Sequence, residues 1–259
     1  MFRYAGSFLA VSVLLEANNW AIATESHTNV ADENLLRVGT PNHRALGPQV
    51  FWSPVGQLLE GSEEGDNFGW GVAQSSNGKI IAVGAGDFDT DKKDVGKVQV
   101  YYRKDHKTRS EWLEMGDPIL GEKYDRAGFS LKLSATGGII AIGSEESNYD
   151  TGHVKVYQWK DRKGWIQLGN TIVGPDYGDG AGYGFDLSAD GLTLAFGAPK
   201  HDKYGSNNGV TIVYQYDKET KDWEVKGHPI PGSHSHNSTD AYYGWSVGMS
   251  ASGDRVLML

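Results

Sequence analysis

The sequence predicts an all-β chain, and more narrowly a β-propeller built from four-stranded blades. Three observations lead to this prediction: glycine-centred motifs that recur four times, strand-like alternation inside the copies, and a repeat length of 54 to 62 residues. One four-stranded unit cannot bury both faces of its sheet, whereas units stacked around an axis cover one another. A β-sandwich of duplicated sheets is the alternative, and the constant register of the copies favours the propeller.

The first motif places a tryptophan four residues before one glycine and nine residues before a second. Its four copies are Trp52/Gly56/Gly61, Trp112/Gly116/Gly121, Trp165/Gly169/Gly174 and Trp223/Gly227/Gly232. We predict that this motif occupies the fourth strand of each blade. Repeated tryptophans can stack on sugars, but the fixed register of these four indicates packing between blades.

The second motif begins with a glycine and an aromatic residue, followed by serine at the sixth and glycine at the ninth position. Its copies are Gly69/Trp70/Ser75/Gly78, Gly128/Phe129/Ser134/Gly137, Gly182/Tyr183/Ser188/Gly191 and Gly244/Trp245/Ser250/Gly253. We expect the aromatic residue in the first strand of the blade. The S-x-x-G segment predicts a tight hairpin in which glycine supplies the positive φ.

Two further segments complete each copy. Apolar runs at 80–83, 139–142 and 192–196 predict second strands that are covered on both faces. A G-x-V-x-V-Y segment follows each run and ends at Tyr101, Tyr157 and Tyr214. Its alternation with period two predicts a half-buried third strand.

The repeats divide the chain from residue 50 onward into copies of about 50–111, 112–164 and 165–222, with an incomplete copy at 223–259. About three and a half blades are therefore predicted. A segment near 49–59 that supplies the outer strand of a closing blade is one explanation. We favour the other, a fragment of a larger propeller, because an open array leaves an unpaired edge and an uncovered sheet face.

The N-terminal residues have a different character. Arg3 precedes an apolar stretch, and Ala21-Ile22-Ala23 has the form of a signal-peptidase site, so residues 1–23 are predicted to be a secretory signal. An uncleaved amphipathic start is the alternative. Residues 24–49 are polar, contain Pro41 and Pro48, and are predicted to be a linker.

Composition excludes several classes of partner. The formal net charge of -9 argues against nucleic acid and against an anionic membrane surface, since both require a basic face. The chain contains no cysteine, which excludes disulfides, thiolate metal sites and a cysteine nucleophile. No apolar run after the predicted signal has the length of a membrane helix.

Two segments resemble the FG-GAP repeat of the integrin α-subunit N-terminal propeller and its relatives. They are Phe68-Gly69-Trp70-Gly71 with the later Val83-Gly84-Ala85, and Tyr183-Gly184-Phe185 with the later Gly197-Ala198-Pro199. The resemblance covers about residues 50–259 and implies an extracellular propeller, commonly seven-bladed, that binds ligands at loops on one face. Integrin-type blades hold calcium in the first hairpin with D-x-D-x-D-G, but the hairpins here have one carboxylate at most, Asp190, so those sites are not carried over.

Three sets of loop residues are candidate sites. Alternating carboxylates after the second strand of the first copy, Asp87, Asp89, Asp91 and Asp94, have the ligand type for calcium, although a solvated acidic loop is the simpler interpretation. Aspartates shortly before the second motif, Asp66, Asp125, Asp179 and Asp240, are candidates for a ligand-binding face around the axis, or for residues that cap their own turns. The last loop has His234 and His236, which we interpret as polar loop residues, and a glycosylation sequon at Asn237.

No motif combines a nucleophile, a base and an orienting acid, so the sequence predicts no enzyme and no required cofactor. We expect a secreted or surface-displayed module that binds an extracellular protein or glycan. A carbohydrate-active propeller, either a lectin or a glycoside hydrolase, is the first alternative. A structural component of the extracellular matrix or wall is the second.

Overall fold

The computed structural model describes residues 15–19, 50–145, 150–232 and 241–259. The secondary-structure elements that lie wholly within these ranges are β-strands, and every pairing between these strands is antiparallel. The small sheet at the N-terminal end consists of β1 (Leu15–Asn19) and β2 (Val50–Pro54). The first large sheet consists of β3 (Phe68–Gln74), β4 (Ile80–Ala85), β5 (Lys97–Asp105), β6 (Ser110–Glu114) and β7 (Ile119–Leu120).

Two further large sheets and one small sheet complete the described chain. The second large sheet consists of β8 (Ser130–Leu133), β9 (Ile139–Ser144), β10 (His153–Lys160), β11 (Gly164–Gln167) and β12 (Ile172–Val173). The third consists of β13 (Phe185–Leu187), β14 (Thr193–Ala198), β15 (Val210–Asp217), β16 (Asp222–Val225) and β17 (Ile230–Pro231). The last small sheet pairs β18 (Val247–Met249) with β19 (Val256–Met258).

Each large sheet is a four-stranded meander, as the sequence predicts. Its fourth position is filled by two pieces, because β6 and β7 both pair with β5 and the other two sheets repeat this arrangement. The predicted tryptophan motif lies in this fourth strand. Consequently the sheets do not coincide with the repeats counted from the tryptophans. The strands that open the second, third and fourth predicted copies, β6, β11 and β16, are hydrogen-bonded to the sheet before them.

The second strands form the centre of the core. All residues of β9 and β14 are buried, which confirms that these strands are covered on both faces. One apolar cluster joins the first two large sheets through residues such as Val98 and Leu131, and another joins the second and third through residues such as Val156 and Phe185. Successive sheets therefore bury their faces against each other in series, as propeller blades do, and not as the two layers of a sandwich.

A hydrogen-bonded ladder of tryptophans links the sheets at their outer strands. Each indole N–H donates to the carbonyl located three residues after the previous tryptophan: Trp112 to Val55 (2.8 Å), Trp165 to Met115 (2.9 Å) and Trp223 to Leu168 (2.7 Å). The glycine that follows each of these carbonyls adopts positive φ. The predicted packing of tryptophans between blades is thus confirmed, and the spacing of the first motif has a physical reason.

The N-terminal predictions are only partly within the described chain. β1 lies inside the segment predicted as a secretory signal and pairs with β2 over Leu15–Asn19. The remaining residues of that segment and the whole predicted linker are outside the described ranges. Both assignments stay predictions.

Two glycines at the same motif position provide a matched test of the ladder. A Cβ on Gly169 (φ 74°) would lie 2.7 Å from Trp223 Cδ1, whereas a Cβ on Gly227 (φ 80°) would meet no described atom within 4 Å. In both alanine variants, the left-handed backbone conformation lowers the free energy of unfolding by about 1–2 kcal/mol. We predict that Gly169→Ala loses a further ~1–3 kcal/mol of unfolding free energy by overpacking, measured by urea denaturation. Equal losses in the two variants would contradict the ladder.

Candidate functional site

The three described aspartates that precede the second motif are buried, not displayed. Asp66, Asp125 and Asp179 are 5%, 3% and 4% exposed. The carboxylate of Asp125 accepts a hydrogen bond from the amide of Glu122 (2.9 Å), and that of Asp179 accepts one from the amide of Asp176 (3.0 Å). These bonds are the ones that turn-capping aspartates make, as the alternative interpretation expects for Asp125 and Asp179. A ligand-binding face around the axis stays a prediction.

A basic group compensates the buried carboxylate in the second large sheet. Lys155 Nζ on β10 lies 3.3 Å from Asp125 Oδ2 and 3.1 Å from Glu122 Oε1. Burial opposes the charged ammonium, but the two carboxylates prevail and raise the pKa of Lys155 above its ordinary value. His153 Nε2 lies 3.6 Å from Asp125 Oδ2. Burial disfavours the imidazolium and lowers the pKa of His153, although the charge of Asp125 opposes this shift.

In the third large sheet, a histidine contacts the equivalent buried carboxylate. His201 Nδ1 lies 2.8 Å from Asp179 Oδ2 and 3.7 Å from Asp176 Oδ2. Burial raises the pKa of Asp179, and the hydrogen bond from His201 limits that rise. In the described chain, one group of three side chains of metal-binding type has all its ligand atoms within 4.8 Å of one another. This group consists of Asp176, Asp179 and His201.

The acidic loop predicted as a calcium site is organised differently. Asp87 forms an ion pair with Arg126 (Nη2 to Oδ1, 2.7 Å) and also accepts from Asn67 Nδ2. Asp89 Oδ1 accepts from the amide of Asp94 (2.6 Å). Within the described residues, no three acidic groups of this loop bring their oxygens together. Ion pairing and the loop's own hydrogen bonds thus engage Asp87 and Asp89. The metal site at Asp87, Asp89, Asp91 and Asp94 stays a prediction.

A row of neighbouring aromatic rings, one stacked pair and two tilted pairs, connects all four copies of the second motif. The ring centroids are 5.1 Å apart for Trp70 and Phe129, 5.8 Å for Phe129 and Tyr183, and 4.7 Å for Tyr183 and Trp245. We call these four residues the aromatic column. Its end members remain accessible, since Trp70 is 60% and Trp245 47% exposed. Only Trp70 lies within a first strand as predicted. Phe129 directly precedes a first strand, and Tyr183 and Trp245 lie two residues before one.

Residues 233–240 are outside the described ranges. The predictions for His234, His236, Asn237 and Asp240 fall on this segment and stay predictions. The structure adds residues that the sequence analysis missed, namely Lys155, His153, Asp176 and His201. An acidic residue stands three positions before Asp66, Asp125 and Asp179, and this recurrence was an available signal for the carboxylate pairs. No sequence signal indicated their basic partners.

Comparisons with known proteins establish the fold. No family model matches the chain, and no curated protein does. A solved structure of a 6-phosphogluconolactonase candidate from Bacteroides uniformis is 15% identical, with a TM-score of 0.51, and the match covers 80% of this chain and 54% of that one. This chain therefore spans about half the length of that protein. TolB from Acinetobacter baumannii is 17% identical with a TM-score of 0.40, covering 81% and 42%.

The tricorn protease is a third similar structure, 15% identical with a TM-score of 0.41, and the match covers 75% of this chain and 19% of that one. The chain has a β-propeller fold. Sequence identities this low support a shared fold and nothing more specific. The FG-GAP resemblance therefore stays a prediction. The described residues include no helix with the length and apolar character needed to cross a membrane.

The buried imidazole of His153 predicts a pH dependence of stability. Because its folded pKa is below the ordinary 6.5, the unfolded chain binds more protons, and stability falls as pH drops through that range. We predict that His153→Gln flattens the decline in melting temperature between pH 7.5 and pH 5.5. His106→Gln, at a side chain that is 39% exposed, is the control and should keep the wild-type slope. A wild-type slope in His153→Gln would contradict the assignment.

Proposed function

We propose that this propeller is a non-catalytic binding module that acts outside the cell or at its surface. The aromatic column carries the proposal. Large aromatic rings that remain accessible in a folded protein mark interaction surfaces, since burying them would otherwise stabilise the fold. Secretion is supported by the predicted signal at residues 1–23 and by the resemblance to extracellular propellers.

The column suits a ligand that presents flat apolar faces. Rings with centroids 4.7 to 5.8 Å apart form a continuous surface, and Arg126 places its guanidinium 5.5 Å from the centre of the Phe129 ring. Sugar rings and the aromatic or aliphatic side chains of a protein both have such faces. The proposed partner is therefore an extracellular glycan or protein that stacks on the column.

A carbohydrate-active propeller is the second candidate, and the same column favours it, because tryptophan and tyrosine rings stack on pyranose faces. The two candidates differ in turnover. Incubation of the protein with cellohexaose and chitohexaose, followed by an assay of reducing ends, distinguishes them. Release of new reducing ends, abolished by one carboxylate substitution, would support hydrolysis and contradict the binding-only proposal.

Trp70 provides the sharpest test of the column. Glycan and extracellular-protein arrays identify a ligand, and titration with that ligand gives its dissociation constant. We predict that Trp70→Ala weakens binding about tenfold, a loss of ~1.4 kcal/mol, because one stacking surface is removed. Tyr177→Ala is the control: this residue is 74% exposed but outside the column, and its loss should leave affinity unchanged. Equal affinities of the two variants, or no ligand on either array, would contradict the proposal.

A further inference from the structure

The geometry points to a zinc site formed by Asp176, Asp179 and His201, and we propose that this trio binds one Zn²⁺. The inference is independent of the proposed binding function. His201 Nδ1 is 2.8 Å from one carboxylate and 3.7 Å from the other. Ligand atoms about 2.1 Å from a tetrahedral zinc lie about 3.4 Å from one another. The two distances from His201 bracket that value, and all three ligand atoms lie within 4.8 Å of one another.

The three ligands lie on a backbone frame that is already held in place. The amide of Lys200 donates to the carbonyl of Asp179 (3.1 Å), which ties the loop of His201 directly to the turn of the two aspartates. The carbonyl of His201 accepts from the amide of Gly209 (3.1 Å), and the amide of Gly180 donates to the carbonyl of Asp150 (2.8 Å). The ligands are therefore presented without any need to fold a loop around the metal.

In the second large sheet, a lysine neutralises the two equivalent carboxylates. There the equivalent carboxylates, Glu122 and Asp125, are bound by the ammonium of Lys155. Counting from the glycine of the third-strand motif, the residue that corresponds to Lys155 in the third sheet is Ile212. In the described chain, His201 is the sole ion-pair partner of Asp176 and Asp179. A divalent cation would supply the positive charge that lysine provides in the second sheet.

The donor set selects the kind of metal. One imidazole nitrogen with two carboxylate oxygens suits zinc and related divalent transition metals, whereas calcium prefers six to eight oxygens. Two ligands are buried, His201 and Asp179, and the side chain of Asp176 is 77% exposed. The ion would therefore enter from the Asp176 side. With three protein ligands it would keep a position open to water or to an oxygen of a partner.

The test is calorimetric titration of the full chain with Zn²⁺ alone, supported by the ligand-field absorption of Co²⁺ as a substitute ion. We expect one equivalent of Zn²⁺ on the wild type and no comparable affinity for Ca²⁺. Asp176→Asn, at an exposed side chain that is not needed for folding, should weaken Zn²⁺ binding at least tenfold, and His201→Ala should abolish it. Ile212→Lys should also abolish it by recreating the arrangement of the second sheet.

Two controls exclude other histidines. His106→Ala removes an imidazole that pairs with Glu111 far along the chain from the trio, and the double variant His234→Ala/His236→Ala removes those of the last loop. Both should bind Zn²⁺ as the wild type does. The proposal is overturned if the wild type takes up no Zn²⁺ at millimolar concentration, if Asp176→Asn and His201→Ala bind like the wild type, or if the controls lose the ion.

Discussion

Neighbouring sheets approach so closely beside their first strands that only backbone fits between them. A Cβ built on Gly84, Gly143 or Gly197, near the end of each second strand, would lie 2.0 to 2.1 Å from the carbonyl oxygen of the first glycine of the next second motif. Real side-chain atoms do not approach that closely, so glycine is required at these positions. This contact sets the distance between sheets, and the rest of the architecture depends on it.

The same contact explains why equivalent residues of successive copies touch one another. The residue after the first glycine of each second motif is aromatic. With the sheets at this spacing, the four rings lie next to one another in one column. At the hairpins between first and second strands, backbone amides bridge the sheets, from Ser76 to Ala135 (3.0 Å) and from Ala135 to Ala189 (2.8 Å). Thus the proposed ligand surface is a direct consequence of how the blades pack, and a change in that packing would disperse it.

The sequence predicted what local patterns determine. Alternation in G-x-V-x-V-Y located the third strands, and the apolar runs located the second strands, because each pattern reports the burial of its own residues. The fixed register of Trp112, Trp165 and Trp223 was sufficient to predict packing between blades. Contacts between distant segments were out of reach: His201 meets Asp179 across 22 residues, and Arg126 meets Asp87 across 39. Such pairs depend on how loops face one another, which no period in the sequence encodes.

Hydrogen exchange at the hairpins tests most directly whether backbone contact between sheets holds the fold together. The amides of Ala135 and Ala189 donate to carbonyls of the following sheet, whereas the amide of Ala251, at the equivalent place in the last described hairpin, has no acceptor among the described residues. The account predicts that Ala135 and Ala189 exchange as slowly as amides within the second strands and that Ala251 exchanges rapidly. Rapid exchange at all three positions would contradict it.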